Sequence, residues 1–204
     1  MTSGKMSQIK IHIKKNLLIL LFLSTAPVLA VESEIAPKSE LSELLTQFAQ
    51  IKQSTVDFTE EKHAFFLEQP VLSSGQLQFI APDKLSKFIL KPEKITQQVH
   101  ADVLKITSQG ETQTINLNEY PEFSIILRSI ISLLSGDHDA LKRDFKINFE
   151  DNLTSWTLLL SPHDSYVSGH VDSIKMLGKK NKLMKIIITE PNNDRSVTSI
   201  YNHR

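Results

Sequence analysis

The sequence predicts a mainly β fold with two main helices, in which roughly ten or eleven antiparallel strands form a strongly curved or barrel-like sheet. Turn signals recur about every 8 to 12 residues, the spacing of antiparallel strands joined by short loops. Between the turns apolar and polar residues alternate, as at Phe145, Ile147 and Phe149, so each strand has one apolar face. Two segments instead have the period of a helix.

Residues 1–30 have the features of a secretory signal peptide. A basic segment ending at Lys15 precedes the short apolar run 17–23, and Val28 and Ala30 are small residues at the −3 and −1 positions of a cleavage site. The alternative is a membrane anchor, but an apolar core of about 7 to 10 residues is well short of the roughly 20 that span a bilayer. We therefore predict cleavage after Ala30.

Composition narrows the class of protein further. The absence of cysteine excludes disulfides, thiol catalysis and a lipid-modified cysteine after the cleavage site. Because residues 1–30 hold four lysines and no acid, residues 31–204 carry 19 basic and 23 acidic residues, a net charge of −4. That balance argues against nucleic-acid binding, which needs a basic stripe. Export without disulfides favours a bacterial periplasm, and we expect a soluble protein with a flexible leader at 31–38 and one domain at 39–204.

The domain is predicted to begin with an amphipathic helix. Ser39 is a suitable N-cap, and the helical period continues to about Lys52. Five apolar residues fall on one face of this helix: Leu41, Leu44, Leu45, Phe48 and Ile51. We expect that face to pack against a sheet.

A series of strands follows, because the period changes to two from Ser54. Turns are predicted at Pro70 to Gly75, at Ala81-Pro82-Asp83 and at Gln109-Gly110-Glu111. The strands between them are predicted at 76–79, 85–90, 93–100, 102–107 and 112–117.

A second helix interrupts the strands from Pro121 to Leu134. Its apolar residues form a broad stripe at helical spacing: Phe123, Ile126, Leu127, Ile130, Ile131 and Leu134. Ser135-Gly136-Asp137 ends it, and Asp137 is placed to cap a short turn through Leu141. So apolar a helix within a β pattern must cover something.

Strands then resume to the end of the chain. Alternating residues predict them at 144–150, 155–160, around Ile174 and Met176, at 184–188 and at 197–201, separated by turns at 162–165, 178–181 and 191–194.

The sequence offers little catalytic chemistry. The histidines of residues 31–204 form neither HxH nor HExxH, and no GxSxG elbow is present. Asp137-His138-Asp139 is best explained by helix capping. Glu60 and Glu61 are neighbours on a strand, so they point to opposite faces, and we expect a solvated strand face there. We predict no enzyme, no metal and no cofactor.

The inward apolar residues allow two interpretations, since a face of this kind forms packed core as readily as it lines a cavity. The residues concerned are Phe58, Leu77, Phe79, Phe88, Leu90, Trp156 and Leu158.

Three segments resemble the LolA family of periplasmic carriers of outer-membrane lipoproteins. They are Phe58-Thr59-Glu60, then Pro70 with Ser74-Gly75-x-Leu77-x-Phe79, then Ala81-Pro82-Asp83-x-Leu85, and the resemblance extends over the predicted helices and closing strand. The sequence is most similar to the LolA-like branch associated with polyene-pigment or glycolipid export systems. The resemblance implies an unclosed antiparallel β-barrel with an N-terminal helix and a helical lid over an apolar cavity.

The resemblance also implies the function and the site. The protein would shield the acyl chains of a lipoprotein or related lipid, as a monomer that transiently meets an inner-membrane exporter and an outer-membrane acceptor. The expected cavity and lid residues are Phe58, Leu77, Phe79, Phe88, Leu90, Ile126, Ile130, Leu134, Trp156 and Leu158. The alternative is a non-carrying accessory domain of an envelope lipid or polyene export system, with a filled core.

The sequence departs from the family pattern at two positions. The general carriers have an arginine before the proline of the corner, where it helps to hold the lid closed, and this chain has Ala81. They usually have a tryptophan near Lys87, where Phe88 is the only aromatic residue. We therefore predict that apolar packing of Ile126, Ile130 and Leu134 holds the lid.

Overall fold

The computed structural model describes residues 40–152 and 154–204. The predicted signal peptide with its cleavage site after Ala30, the leader at 31–38 and the Ser39 N-cap lie outside these residues, so they stay predictions. Within the described ranges, no helix has both the length and the hydropathy needed to cross a membrane.

The described residues form one antiparallel sheet of eleven strands. The strands are β1 (Gln53–His63), β2 (Val71–Ile80), β3 (Lys84–Lys91), β4 (Ile95–His100), β5 (Val103–Ser108), β6 (Glu111–Asn116), β7 (Phe145–Asn152), β8 (Ser155–Pro162), β9 (Ser173–Lys179), β10 (Lys182–Thr189) and β11 (Arg195–Tyr201). Their order is β6-β5-β4-β3-β2-β1-β11-β10-β9-β8-β7, which leaves β6 and β7 as unpaired edges. The predicted unclosed sheet is therefore confirmed, with a strand count inside the predicted range.

Pairing between the first and last strands brings the two ends of the domain to the middle of the sheet. Phe58 pairs with Ile200 and Glu60 with Thr198 across β1 and β11. All other neighbours in the sheet are consecutive in sequence, so short hairpins account for the rest of the topology.

The helices are α1 (Glu40–Phe48), α2 (Pro121–Ser135), α3 (His138–Asp144) and α4 (Ser165–Ser168), with a 3₁₀ turn at Leu117–Glu119. The 3₁₀ turn, α2 and α3 connect β6 to β7, so these helices occupy the stretch of chain that joins the two open edges of the sheet. The helix predicted at Pro121–Leu134 is therefore present as the cover of an unclosed sheet.

Capping explains where the helices begin and end. Gly136 ends α2 in the left-handed conformation, with a φ of 75°, and its N–H bonds the carbonyls of Ser132 and Leu133. Asp137 then caps α3 by accepting a hydrogen bond from the Ala140 N–H at 2.9 Å, as the sequence predicts. α1 ends at Phe48, before the predicted Lys52, because the chain leaves the helix through a turn in which Ile51 N–H bonds the Phe48 carbonyl.

The turn predicted at 162–165 leads into a short helix, α4, that the sequence does not predict. Asp164 accepts a hydrogen bond from the Val167 N–H at 2.9 Å and so nucleates the single turn of α4. Four residues are too few for a hydrophobic period to be visible in the sequence.

The largest core lies between α1 and the inner face of β8, β9 and β10. Leu41, Leu44, Leu45 and Phe48 of α1 are all buried there. The Phe48 ring meets the Trp156 ring edge to face, with centroids 5.9 Å apart.

Trp156 is fixed from two further sides. Its indole N–H donates to the Lys180 carbonyl at 2.6 Å. Gly178 lies directly across the β8–β9 pair, where any Cβ would collide with the indole ring. The tryptophan is thus a packed core residue.

Candidate functional site

A cavity of about 410 Å³ lies between α2 and the inner face of the sheet. Its sheet wall comes mainly from β2 to β6 and β10, because inward positions alternate along each strand. The apolar side chains of that wall are Leu77, Leu85, Val99, Leu104, Ile106, Ile115, Ile186 and Ile188.

Helix α2 closes the cavity from the other side. Phe123, Ile126, Leu127 and Ile130 face the space, and Tyr120 stands just before the helix. Phe123 and Tyr120 are 55% and 42% exposed, so the aromatic end of the helix reaches solvent. We call α2 the lid from here on.

The opposite face of the lid is anchored to other helices. Ile125, Ser129 and Leu133 are buried there, and small serines allow the close approach of α1, α3 and α4. Arg128 adds an ion pair, with its Nε 3.2 Å from the Asp144 carboxylate. The lid therefore has an apolar inner face and a separately supported outer face.

A second cavity of about 450 Å³ adjoins the first and shares Phe123, Ile126 and Ile188 with it. Its other walls mix polar residues such as Glu122 and His170 with the apolar Val171 and Pro191. Among the residues that the structure describes, no group of acidic or histidine side chains could hold a metal ion.

Five of the ten sequence-predicted site residues lie at or beneath the cavity. Leu77, Ile126 and Ile130 line it. Phe58 is fully buried under its polar end, and Phe79 packs with the liners Leu85 and Val99 beneath it.

The other five lie elsewhere. Leu134 lines a separate small cavity beside Phe48. Trp156 and Leu158 are 3% and 0% exposed in the core under α1. Phe88 falls on the other face of β3, because Leu85 and Lys87 take the inward positions and strand neighbours alternate, while Leu90 lies at a register shift between β2 and β3. Leu90 is 52% exposed.

The structure adds a polar group that the apolar pattern does not reveal. Glu60 lines the cavity with a side chain only 22% exposed, while its neighbour Glu61 points to solvent at 55%. The prediction of opposite faces is confirmed, but a solvated face is wrong for Glu60. The alternation of strand side chains could have predicted the inward position of Glu60, since Phe58 and Glu60 lie two residues apart on the same face of β1.

Glu60 is held in a dense set of hydrogen bonds. Lys87 Nζ donates to Oε2 at 2.6 Å, and Ser73 Oγ donates to the same oxygen at 3.3 Å. Ser196 and Thr198 hydroxyls donate to Oε1 at 2.9 and 3.2 Å. Both carboxylate oxygens therefore have two donors each.

These contacts keep the carboxyl ionised inside the cavity. Burial alone raises the pKa of Glu60, but the charge and hydrogen bond of Lys87 and the two hydroxyls outweigh it, so the pKa lies below its ordinary value. The Lys87 ammonium also stands over the Phe58 ring, 5.0 Å from its centroid. An intact ion pair thus lies in a mainly apolar lining.

An unclosed sheet around an apolar cavity with a helical cover is the architecture of a protein that binds apolar ligands. The family model for "outer membrane lipoprotein carrier protein LolA-like" matches residues 36–200. The chain belongs to this LolA-like family, and the resemblance inferred from its motifs is confirmed. The family description is that of a carrier, not of an enzyme.

Several solved structures are similar to this chain at low sequence identity. A LolA superfamily protein from Nitrosomonas europaea is 11% identical, with a TM-score of 0.43 over 80% of this chain and 92% of that chain. An outer-membrane lipoprotein-sorting protein domain from Vibrio parahaemolyticus is 8% identical, with a TM-score of 0.44 over 81% and 90%. A chain of the Pseudomonas aeruginosa MucA/MucB complex is 9% identical, with a TM-score of 0.46 over 81% of this chain and 57% of that chain. No curated protein matches the chain in sequence.

Proposed function

We propose that this protein is a periplasmic carrier that shields the acyl chains of a lipoprotein or related lipid during transfer toward the outer membrane. The observation that carries the proposal is the apolar cavity of about 410 Å³ under the lid. This volume lies within the range of roughly 300 to 1,000 Å³ that is typical of small-molecule sites.

The energetics of an acyl chain support such a role. Each methylene group moved from water into an apolar site gains about 0.8 kcal/mol. A chain crossing an aqueous compartment therefore needs a shielded site, and the wall residues Leu77, Leu104 and Ile188 provide one.

Loading and release follow from the position of the lid. Ile126 and Ile130 cover the same apolar surface that cargo would contact. Cargo binding is then a competition between lid and ligand for one apolar wall, and it needs no cofactor or covalent step.

The cellular context belongs to the same proposal. The N-terminal segment would direct export to the periplasm with cleavage after Ala30. The monomer would receive cargo from an inner-membrane exporter and deliver it to an outer-membrane acceptor through transient contacts. The open cavity favours this role over that of an accessory domain, for which a filled core would suffice.

The test is recovery of bound lipid from the full chain expressed with its N-terminal segment. Protein purified from the periplasm should retain a lipid or lipoprotein in native mass spectrometry, and solvent extraction should release it. Leu104→Asp places a charge on the cavity wall and should abolish recovery. Leu90→Asp makes the same change at an exposed position of β3 outside the cavity lining and should not. Absence of lipid from the unaltered protein, or equal recovery from both variants, would contradict the proposal.

A further inference from the structure

The two members of the ion pair in the cavity differ in how many hydrogen bonds they can still make with a ligand. All four donors around Glu60 point at its carboxylate, so the acceptor side is occupied by Lys87, Ser73, Ser196 and Thr198. An incoming ligand therefore finds no free carboxylate oxygen with which to pair.

Lys87 retains donors that Glu60 does not occupy. An ammonium has three N–H groups, and within the described residues Lys87 Nζ makes one hydrogen bond, to Glu60. Its ammonium lies over the Phe58 ring, and because Lys87 itself lines the apolar space, a ligand there can reach its remaining N–H groups.

Gln97 adds a second donor at the same place. It pairs directly with Lys87 across β3 and β4, and both residues line the cavity. Opposite residues of antiparallel strands have side chains about 4.5 to 5.5 Å apart at Cβ. One oxygen atom of a ligand can thus meet donors from both strands.

The charges of Lys87 and Glu60 determine whether a neutral or an anionic ligand oxygen binds at this site. Glu60 neutralises Lys87 at 2.6 Å, so the site as a whole has no net charge. An anionic ligand group at Lys87 would lie close to the Glu60 carboxylate, and like charges repel more strongly in a weakly polar site than in water. A neutral acceptor avoids that repulsion and still accepts the hydrogen bonds.

We propose that Lys87 and Gln97, with Lys87 held by Glu60, bind the ester or amide carbonyl of an acylated cargo. The cavity then prefers acyl esters and amides to free fatty acids and to plain hydrocarbon chains. This inference rests on the proposed function, because it assumes that the chain of the cargo occupies the cavity.

The experiment compares three ligands of equal chain length that differ only in the end group. Methyl laurate, laurate and dodecane compete with the fluorescent probe N-phenyl-1-naphthylamine for the full-length mature protein at pH 7. A net hydrogen bond of about 0.5 to 1.5 kcal/mol gives methyl laurate a roughly two- to tenfold advantage over dodecane. Laurate should bind more weakly than methyl laurate.

Two variants then distinguish the role of the Lys87 hydrogen-bond donor from that of the Glu60 charge. Lys87→Met should abolish the advantage of the ester, so that methyl laurate no longer binds more tightly than dodecane to this variant. Glu60→Gln leaves the Lys87 charge without its partner and should invert the preference, so that laurate binds more tightly than methyl laurate. Because Lys87→Met leaves Glu60 buried without its cation, the double variant Glu60→Gln/Lys87→Met serves if the single variant does not fold.

The outcomes distinguish this inference from the proposed function. In one outcome, dodecane displaces the probe while the preference for methyl laurate is the same in the unaltered protein and in Lys87→Met. That result would overturn the carbonyl site but would still be consistent with an acyl carrier. Failure of all three ligands to displace the probe would contradict the proposed function as well. A tripalmitoylated lipopeptide and an acylated glycolipid, used as further competitors, distinguish the two sources of such a carbonyl. If neither exceeds dodecane, the inference fails.

Discussion

The two halves of the inner face of the sheet differ in what fills them. Under α1, side chains of β8 and β9 such as Leu158, Ile174 and Met176 are completely buried against helix residues. Under the lid, side chains such as Leu77 and Leu104 are only partly buried and surround a cavity. The residue types in the two halves are alike, so the content of the space depends on the helix that covers it.

The contrast assigns stability and binding to different parts of one sheet. α1 inserts Phe48 against Trp156, whereas the lid leaves space between Ile126 and the opposite wall. Large-to-small changes should therefore cost stability in the filled half and alter ligand binding in the open half.

The largest expected effect is in the filled half. Phe48→Ala should lower the free energy of unfolding by about 3 to 5 kcal/mol, because Phe48 is 1% exposed and its removal leaves a hole beside Trp156. Urea unfolding followed by tryptophan fluorescence measures it, since Trp156 is the only tryptophan of the chain.

Phe123→Ala is the matched control, since Phe123 is the same residue type on the lid but 55% exposed. Its loss should change the unfolding free energy by less than about 0.5 kcal/mol, as is usual at the surface. Equal destabilisation by both variants would mean that the two halves do not differ in packing.

The next effect concerns the lid. Ile130→Asp puts a carboxylate among apolar residues of both the main and the small cavity, so it should remove about 1.5 to 3 kcal/mol of lid packing. Binding of N-phenyl-1-naphthylamine should weaken, and amide hydrogens of residues 121–135 should exchange faster. Unchanged probe affinity and unchanged exchange would show that apolar packing does not hold the lid.

The sequence predicts the sheet and the lid well, because both follow from periodicity. Alternation gives the strands, and the stripe of Ile126, Ile130 and Leu134 gives the helix that interrupts them. The same alternation identifies the inner face of each strand, and it correctly predicts that Leu77 points inward.

The sequence does not distinguish inward residues that form packed core from inward residues that line a cavity. Trp156 and Leu158 alternate just as Leu77 and Phe79 do, yet α1 packs over the first pair, which is only 3% and 0% exposed. The burial of Glu60 in an ion pair is not visible in the sequence for a related reason. A charged residue on a strand is usually solvated, and only the fold brings Lys87 from β3 to within 2.6 Å of it.

Acidification should weaken the open half through Glu60. Its folded-state pKa lies below the ordinary value of 4.5, so ionised Glu60 stabilises the fold above about that pH. This stabilisation is lost as the pH falls through the folded-state pKa. Urea unfolding at pH 7 and at successively lower pH should show a smaller decline for Glu60→Gln than for the unaltered protein. Identical declines would show that Glu60 does not contribute, since both proteins retain every other acid, including Asp57.

The smallest effect is expected at the one ion pair of the lid among the described residues. The resemblance implies an arginine before Pro82 in the general carriers, where this chain has Ala81, while Arg128 on the lid pairs with Asp144. Arg128 is 43% exposed, and Arg143 also pairs with Asp144 at 2.9 Å, so Arg128→Gln leaves the carboxylate partnered. An exposed pair contributes about 0 to 1 kcal/mol, and we expect hydrogen exchange in the lid and probe affinity to change far less than in Ile130→Asp. If Arg128→Gln instead opened the lid as fully as Ile130→Asp, closure would depend on charge, and it would weaken with added salt because exposed pairs are screened.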